Sequence, residues 1–176
     1  MAYTRNISLI GMPGVGKSTV GKLLAKKLLF NFLDTDTLIQ NQKKLPLHSI
    51  IQESGEADFI TLEESIILKL SHLSKTLISP GGSVVYSEKS MLHLRTLSYV
   101  IYLEDKAPSI EKRIHNMQSR GIIGLKNNDL EALFHKRHAL YLNYAHACFS
   151  ISNYHLSDAA LYTELISLYS KVLQNA

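Results

Sequence analysis

The segment "GMPGVGKST" carries the strongest chemical signal in the sequence, because it matches the pattern G-x-x-x-x-G-K-(S/T). Glycines let backbone N–H groups curve around a phosphate, and a following helix directs its positive N-terminus at the same group. Lys17 is spaced to reach the β- and γ-phosphate oxygens, and Ser18 to bind Mg²⁺ through its hydroxyl. A strand-length apolar run precedes this loop and a helical pattern follows it. The pattern predicts a nucleotide phosphate site made by Gly11, Gly14, Val15, Gly16, Lys17, Ser18 and Thr19.

Two carboxylates follow in "FLDTDTLI", at the end of a second strand-length run. Asp34 and Asp36 are two residues apart, so they point the same way if the strand continues through them. In a doubly wound sheet the carboxyl ends of the strands face the ligand crevice. The alternative is a helix cap, in which Asp36 or Thr37 begins the next helix. We expect both carboxylates to face the crevice, with Asp34 the closer to the phosphate loop.

A third carboxylate, Glu63 in "GEADFITLEES", lies on a predicted apolar helix face. At a rotation of ~100° per residue, that face holds Phe59, Leu62, Ile66, Leu70 and Leu73. Ile60, one turn before Glu63, lies at the edge of the face. An inward carboxylate normally has a cation beside it, because an unpaired buried charge is unfavourable. Glu63 therefore either faces a ligand pocket or pairs with a lysine or arginine of another element.

Strand-length and helical patterns alternate along the chain. The predicted strands are 6–10, 30–34, 75–79, 98–104 and 148–152, and the longer helices are 17–29, one from about 59 to 73, 88–97, 108–117, 129–146 and 157–174. This alternation predicts an α/β fold with a five-stranded parallel sheet and helices on both faces. The loop "SRGIIGLKNN" is predicted to be a mobile lid, because the segments on both its sides are needed to complete the sheet.

Composition limits the function classes. A chain of 176 residues is expected to form one domain, and 45% apolar with 19% charged residues is ordinary for a globular protein. The net charge of +4 suits an anionic small molecule, and the scattered lysines and arginines do not form a nucleic-acid footprint. Cys148, the only cysteine, lies in a predicted core strand, so no disulfide is expected. We expect a cytoplasmic monomer with no signal peptide, membrane segment or nucleic-acid partner.

Together these segments resemble the shikimate kinase family over nearly the whole chain. The matching segments, in the family's order and at about its spacing, are "GMPGVGKST", "DTD", "GEADFITLE", "PGGSV", "RIHNMQSRGII" and "KRHALY". The resemblance implies a three-layer P-loop NTPase fold and a single kinase domain, 1–176, with a substrate-binding subregion at 35–73 and a lid at 117–129. It implies that ATP phosphorylates a hydroxyl group, most simply shikimate to shikimate 3-phosphate with release of ADP.

The resemblance also assigns roles around the nucleotide. It implies that Lys17 contacts the γ-phosphate and that Ser18 and Asp34 surround Mg²⁺. Arg120 occupies the place of the lid arginine that closes over the phosphates, and Arg113 that of the arginine near the adenine. The catalytic residues implied are Lys17, Asp36 and Arg120. For the two arginines, a solvated surface charge is the alternative interpretation.

On the acceptor side, the resemblance implies that Asp36 holds the acceptor hydroxyl and is able to deprotonate it. Gly81 and Gly82 match backbone donors to substrate oxygens, and Arg137 in "RHALY" matches the arginine that binds the substrate carboxylate. Glu63 is predicted to face the same acceptor pocket.

Two positions depart from the family pattern. Pro80 stands in place of the first glycine of a Gly-Gly-Gly turn, which removes one N–H donor. Ile60 stands where the family has an arginine, in F-R-x-x-E, that shares the substrate carboxylate. A charged hydrogen bond contributes about 1.5–3 kcal/mol, so its loss would weaken binding roughly 10- to 100-fold.

The departure at Ile60 leaves alternative acceptors open. Arg137 could hold a carboxylate while Glu63 holds an ammonium and Asp36 a hydroxyl, which fits a small hydroxy-amino acid such as homoserine. A nucleoside monophosphate kinase needs several arginines for its acceptor phosphate, and residues 35–70 contain none. A nucleotide-binding protein without kinase activity is the remaining alternative, although the residues expected for catalysis keep competent side chains.

Overall fold

The computed structural model describes residues 6–114, 121–125, 127 and 129–174. Its centre is one five-stranded parallel sheet, as the sequence predicts. The strands are β1 (Ile7–Ile10), β2 (Asn31–Asp34), β3 (Thr76–Ser79), β4 (Tyr99–Glu104) and β5 (Ala147–Ser150). Their order in the sheet is β2-β3-β1-β4-β5.

Helices cover both faces of this sheet. All four residues of β1 are fully buried, and successive side chains of a strand point to opposite faces, so neither face of the central strand meets solvent. The α-helices are α1 (Lys17–Leu28), α2 (Thr35–Lys43), α3 (Leu47–Leu68), α4 (Glu88–Leu97), α5 (Ala107–Arg113), α6 (Leu130–Tyr144) and α7 (Ala159–Gln174). Helix α1 packs against β1, β2 and β3, while α4 and α6 pack against β4.

Helix α3 differs from the sequence prediction at both ends. It begins before the expected helix and bends at Gly55, whose φ of 81° is not helical. It ends at Leu68, so the expected continuation to Leu73 is wrong. His72 and Lys75 adopt φ values of 54° and 48°, which an α-helix cannot accommodate. The apolar face that was expected to end at Leu73 therefore ends within α3.

Two further predictions are corrected. Helix α5 ends at Arg113, because Ile114 leaves the helical conformation, and residues 115–117 of the predicted helix lie outside the described residues. Cys148 is exposed and does not lie in the core, although it does lie in a strand. Strand β5 pairs only with β4 and forms an edge of the sheet, which leaves its side chains partly open to solvent. None of the described helices is long and apolar enough to cross a membrane.

The buried side chain of Asn6 joins three segments at the amino ends of the central strands. Its Nδ2 donates hydrogen bonds to the carbonyl oxygens of Leu73 (3.0 Å) and Leu97 (2.9 Å), and its Oδ1 accepts from the N–H of Thr76 (3.0 Å). These bonds hold the entries of β3 and β4 against β1.

We expect Asn6→Ala to lower the free energy of unfolding by about 2–4 kcal/mol, because it removes three side-chain hydrogen bonds to backbone groups. Urea unfolding measures the change. Asn143→Ala, on the exposed surface of α6, is the matched control and should change stability by less than about 0.5 kcal/mol. Equal effects of the two substitutions would contradict this account of Asn6.

Candidate active site

Three glycines give the loop before α1 its shape. Gly11, Gly14 and Gly16 have φ values of 147°, 80° and 109°, a region that favours glycine. A Cβ added at Gly11 would also lie 2.5 Å from the carbonyl oxygen of Leu103 in β4. Val15 is fully buried and its N–H donates to the carbonyl of Met12 (3.3 Å). The loop therefore has the curved backbone that the sequence predicts.

Lys17 opens α1 and is almost fully buried at 8% exposure. Its Nζ donates hydrogen bonds to the carbonyl oxygens of Gly11 (2.8 Å) and Met12 (3.1 Å), which places the ammonium group inside the curve of the loop. Burial lowers the pKa of Lys17 to about 8, and the charge of Asp36 acts in the opposite direction.

Ser18 and Asp34 meet beside this loop. The Ser18 hydroxyl donates to Asp34 Oδ2 at 2.8 Å, while Asp34 Oδ1 accepts from the N–H of Thr37 at 3.2 Å. Asp34 is therefore the N-cap of α2, a role that the sequence suggested for Asp36 or Thr37. Adjacent hydroxyl and carboxylate oxygens are the ligand types that Mg²⁺ prefers, so the pair fits such an ion.

A cavity of about 570 Å³ opens between the phosphate loop, the ends of β2 and β3, and α6. The predicted site residues that line it are Gly14, Gly16, Lys17, Ser18, Thr19, Asp34, Asp36, Gly81, Gly82, Arg113 and Arg137. Gly11 and Val15 lie in the loop without lining the cavity, and Glu63 lies behind Gly81. The predicted lid arginine, Arg120, lies outside the described residues.

A second cavity of about 590 Å³ adjoins the first. The two share Thr19, Arg113 and Leu156. The other residues that line the second cavity are Leu23, Ser109, Lys112, Tyr154, His155 and Ser157. Because they share these residues, the two cavities are neighbours that together extend from the turn of Gly81 and Gly82 to the far side of the phosphate loop.

Arg113 is fixed between these cavities by a buried carboxylate, Asp105. Arg113 Nη1 lies 2.7 Å from Asp105 Oδ2 and 3.4 Å from the carbonyl oxygen of Val15. Asp105 Oδ1 accepts from the Ser152 hydroxyl at 2.9 Å, which ties the segment after β5 to the same carboxylate. Sequence reasoning missed Asp105 and Ser152, because their contacts span up to 47 residues and follow no motif.

Asp36 and Glu63 converge on Gly81. A Cβ added at Gly81 would lie 2.8 Å from Asp36 Oδ1 and 2.4 Å from Glu63 Oε1, so the turn needs glycine here for space and the two carboxylates are close neighbours. Burial, with a contribution from the charge of Asp34, raises the pKa of Asp36 to about 6.

Glu63 is 1% exposed and accepts one hydrogen bond, from the Ser83 hydroxyl to Oε2 at 2.8 Å. Its Oε1 has no hydrogen-bond partner, and within the described part of the chain no lysine or arginine nitrogen lies within 4.0 Å of its carboxylate. Burial and the charge of Asp36 raise the pKa of Glu63 to about 7, while the Ser83 hydrogen bond opposes the shift. Ile60, one turn earlier, packs on the apolar cluster that contains Phe59.

Arg137 is a buried cation with one nitrogen that has no partner in the described part of the chain. Its Nε donates to the Tyr86 hydroxyl (3.1 Å) and its Nη2 to the carbonyl of Ile123 (2.6 Å), while the unpartnered nitrogen, Nη1, would lie 3.0 Å from a Cβ added at Gly82. The Tyr141 hydroxyl donates to the carbonyl oxygen of Gly82 at 2.7 Å and so holds the same turn. The sequence indicated Arg137 but neither tyrosine, since tyrosines at helix spacing are typical of packing.

Comparison with known proteins identifies the family. The family model for shikimate kinase matches residues 13–169. The chain belongs to the shikimate kinase family. Two of its similar relatives are the shikimate kinases of Caldanaerobacter subterraneus subsp. tengcongensis (30% identical, covering 96% of this chain and 98% of the relative) and of Clostridium botulinum (35% identical, covering 89% and 93%).

Solved structures give the same result. Shikimate kinase from Acinetobacter baumannii in complex with shikimate superposes with a TM-score of 0.82 and 25% identity, covering 98% of this chain and 94% of that one. Shikimate kinase from Aquifex aeolicus gives a TM-score of 0.79 at 26% identity, covering 96% and 98%. The P-loop NTPase fold and an ATP-dependent kinase activity, both expected from the sequence, are confirmed by this family membership.

We expect Asp105→Asn to raise the KM for ATP about 10-fold and to change kcat by no more than about twofold, because the charge-assisted contact that holds Arg113 is lost. Steady-state kinetics with ATP as the varied substrate measure this. Asp58→Asn, an exposed residue of α3, is the matched control and should leave both constants unchanged. A fall in kcat at constant KM would contradict a positioning role for Asp105.

Proposed function

We propose that the protein transfers the γ-phosphoryl group of ATP to the 3-hydroxyl of shikimate, which gives shikimate 3-phosphate and ADP. The observation that carries the proposal is the buried Nη1 of Arg137, which has no partner among the described residues and belongs to a side chain that lines the cavity beside the phosphate loop. A cation buried without an anion is unfavourable, so this atom is suited to a carboxylate that arrives with the substrate.

The nucleotide side of the proposal uses the phosphate loop and the second cavity. Backbone N–H groups of the loop bind the phosphates, and Lys17 contacts the γ-phosphate. The second cavity receives the nucleoside, with Arg113 and Leu156 at its junction with the first. Thr19 lines both cavities, which supports a nucleotide-binding role for it.

Ser18 and Asp34 are the residues that would hold Mg²⁺, and their adjacent oxygens support this assignment. A bound Mg²⁺ neutralises charge on the phosphate oxygens.

On the acceptor side, Asp36 binds the hydroxyl that is phosphorylated, and Arg137 binds the carboxylate. The backbone N–H groups of Gly81 and Gly82 donate further hydrogen bonds to substrate oxygens in this proposal. The location of Asp36 in the first turn of α2, beside Gly81, supports a substrate-binding subregion at 35–73.

Positioning and cationic stabilisation account for the catalysis in this proposal. Phosphoryl transfer passes through a loose transition state, so the protein holds the two oxygens in line and stabilises the charge on the moving group. Lys17 supplies the cation within the described residues, and the lid at 117–129 would add Arg120 and exclude water. Asp36, as an ionised carboxylate, accepts the hydroxyl proton.

One observation favours a second candidate acceptor. In the part of the chain that the structure describes, Glu63 Oε1 has no partner, and a hydroxy-amino acid such as homoserine would offer it an ammonium group. In this alternative Arg137 and Asp36 keep their roles, and only the third contact changes.

We also propose that the protein acts as a cytoplasmic monomer. One chain supplies all the side chains named for both substrates, which supports a monomer. ATP as the donor and the free thiol of Cys148 support the location.

We expect rapid ADP release with shikimate and much slower release with quinate, homoserine, serine and gluconate at matched concentrations. A coupled assay measures ADP, and ³¹P with ¹H NMR of the product locates the phosphate on the 3-hydroxyl. Faster turnover of homoserine than of shikimate would favour the second candidate, and phosphate on no acceptor would contradict the kinase proposal.

We further expect Arg137→Lys to raise the KM for shikimate roughly 10- to 100-fold and to leave the KM for ATP unchanged. Lysine keeps the charge, but its single nitrogen cannot occupy the separate positions from which the guanidinium nitrogens reach Tyr86, Ile123 and the ligand. Arg95→Lys, the same chemical change in α4, is the control. Thermal melting of both variants shows whether the fold is retained, and an unchanged KM for shikimate in a folded Arg137→Lys would contradict the role.

A further inference from the structure

Glu63 is the buried charged group for which the proposed mechanism has no role. An ionised carboxylate is only an acceptor, and Oε2 already accepts from the Ser83 hydroxyl. Among the described residues its Oε1 has no partner, and it lies beside Gly81, which lines the cavity. The unpartnered Nη1 of Arg137 lies beside Gly82 of the same turn. An acceptor that binds Arg137 through a carboxylate therefore brings a second anion close to Glu63.

The groups that face Glu63 come from every element packed around it. Asp36 of α2 is the nearest like charge, at Gly81. Lys17 of α1 and Arg137 of α6 are cations that act on it from a distance, and the phenol of Tyr141 in α6 is also near. At the start of α4, Lys89 Nζ lies 3.6 Å from Oε1 of the neighbouring glutamate, Glu64. The hydroxyl of Ser87, the N-cap of α4, donates to Glu64 Oε2 at 2.7 Å.

Ile60 explains why no cation compensates this charge from within α3. It lies one helical turn before Glu63 and packs with Phe59 and Ile39 in an apolar cluster. Burial and the neighbouring carboxylate therefore dominate, and they raise the pKa of Glu63 to about 7.

We propose that Glu63 binds the acceptor as a neutral carboxylic acid, donating a hydrogen bond from Oε1 to an oxygen of the bound substrate. The inference rests on the proposed function and deepens it. Arg137 supplies the cationic contact and Asp36 stays ionised to receive the hydroxyl, so two neighbouring carboxyl groups have different protonation states and different roles. The proton stays on Glu63 through turnover. When substrate binds to protein in which Glu63 is ionised, the Glu63 carboxylate takes up one proton from water.

The first test is the pH dependence of kcat/KM for shikimate at saturating Mg-ATP. We expect kcat/KM to fall about tenfold per pH unit above the Glu63 pKa of about 7. The KM for ATP should not follow this profile, because Glu63 contacts the acceptor only.

Two substitutions at Glu63 separate hydrogen-bond donation from charge. Glu63→Gln keeps a permanent donor and the acceptor for Ser83, so its kcat/KM should not fall above pH 7 and should exceed that of the unmodified protein at pH 8.5. Glu63→Ala also removes this titration, but it lacks the donor, so its kcat/KM should show no alkaline fall either and should stay about 10-fold below that of Glu63→Gln.

Thermal melting without substrate gives a readout that does not depend on activity. The Glu63 carboxyl has a pKa of about 7 in the folded protein, against an ordinary value of 4.5, so its contribution to stability is lost as pH rises between these two values. No further loss follows above pH 7. The melting temperature of Glu63→Gln minus that of the unmodified protein should therefore increase between pH 4.5 and 7 and stay constant above pH 7.

Three results would overturn the proposal: a flat profile for the unmodified protein with shikimate, the same alkaline fall in Glu63→Gln, or equal kinetics of the Gln and Ala variants. Absence of shikimate turnover at every pH is a failure of the proposed function instead. In that case the melting temperatures still test the neutral state of Glu63. That state is overturned as well if the difference in melting temperature between Glu63→Gln and the unmodified protein does not increase from pH 4.5 to 7.

Discussion

The register between β2 and β3 is the constraint on which the active site depends. Asp34 pairs with Ser79, so both strands end at the same level of the sheet. The chain then turns into α2 on one side and into the turn of Gly81 on the other. This places Asp36 beside Gly81, and β1 on the other side of β3 brings the phosphate loop to the same edge. One parallel register thus assembles the donor and acceptor sides of the cavity.

Burial of charge is the energetic consequence of this assembly. Lys17 and Arg137 are each less than 9% exposed, and neither has a partner of opposite charge within 4.0 Å in the described part of the chain. Their hydrogen bonds go to carbonyl oxygens and a hydroxyl group, which hold the side chains in place without neutralising them. The site is therefore preorganised for charged ligands at the expense of stability in their absence.

The sequence predicts most of the fold and the residue types of the site, because both rest on local patterns. Strand-length apolar runs and the glycine spacing need no tertiary information. The end of α3 at Leu68, the exposure of Cys148 and the clamp of Asp105 on Arg113 depend on strand order and on contacts far apart in the chain. The partners of Glu63 belong to this second group: the helix period shows that it points inward, but not that it meets Ser83 and Gly81.

Arg137 shows why an arginine serves at the centre of this site. Its planar group reaches Tyr86 and the carbonyl of Ile123 with two nitrogens and leaves the third for a ligand, a division that a lysine cannot make. Ile123 packs in the same apolar cluster as Phe59, and the N–H of Gly124 donates to Glu56 Oε1 at 2.9 Å. The guanidinium group thus joins α6 to the segment that follows the predicted position of Arg120. Ile123 supports the side chain to which we assign the acceptor carboxylate, so in this proposal acceptor binding and the position of the segment are linked through one carbonyl oxygen.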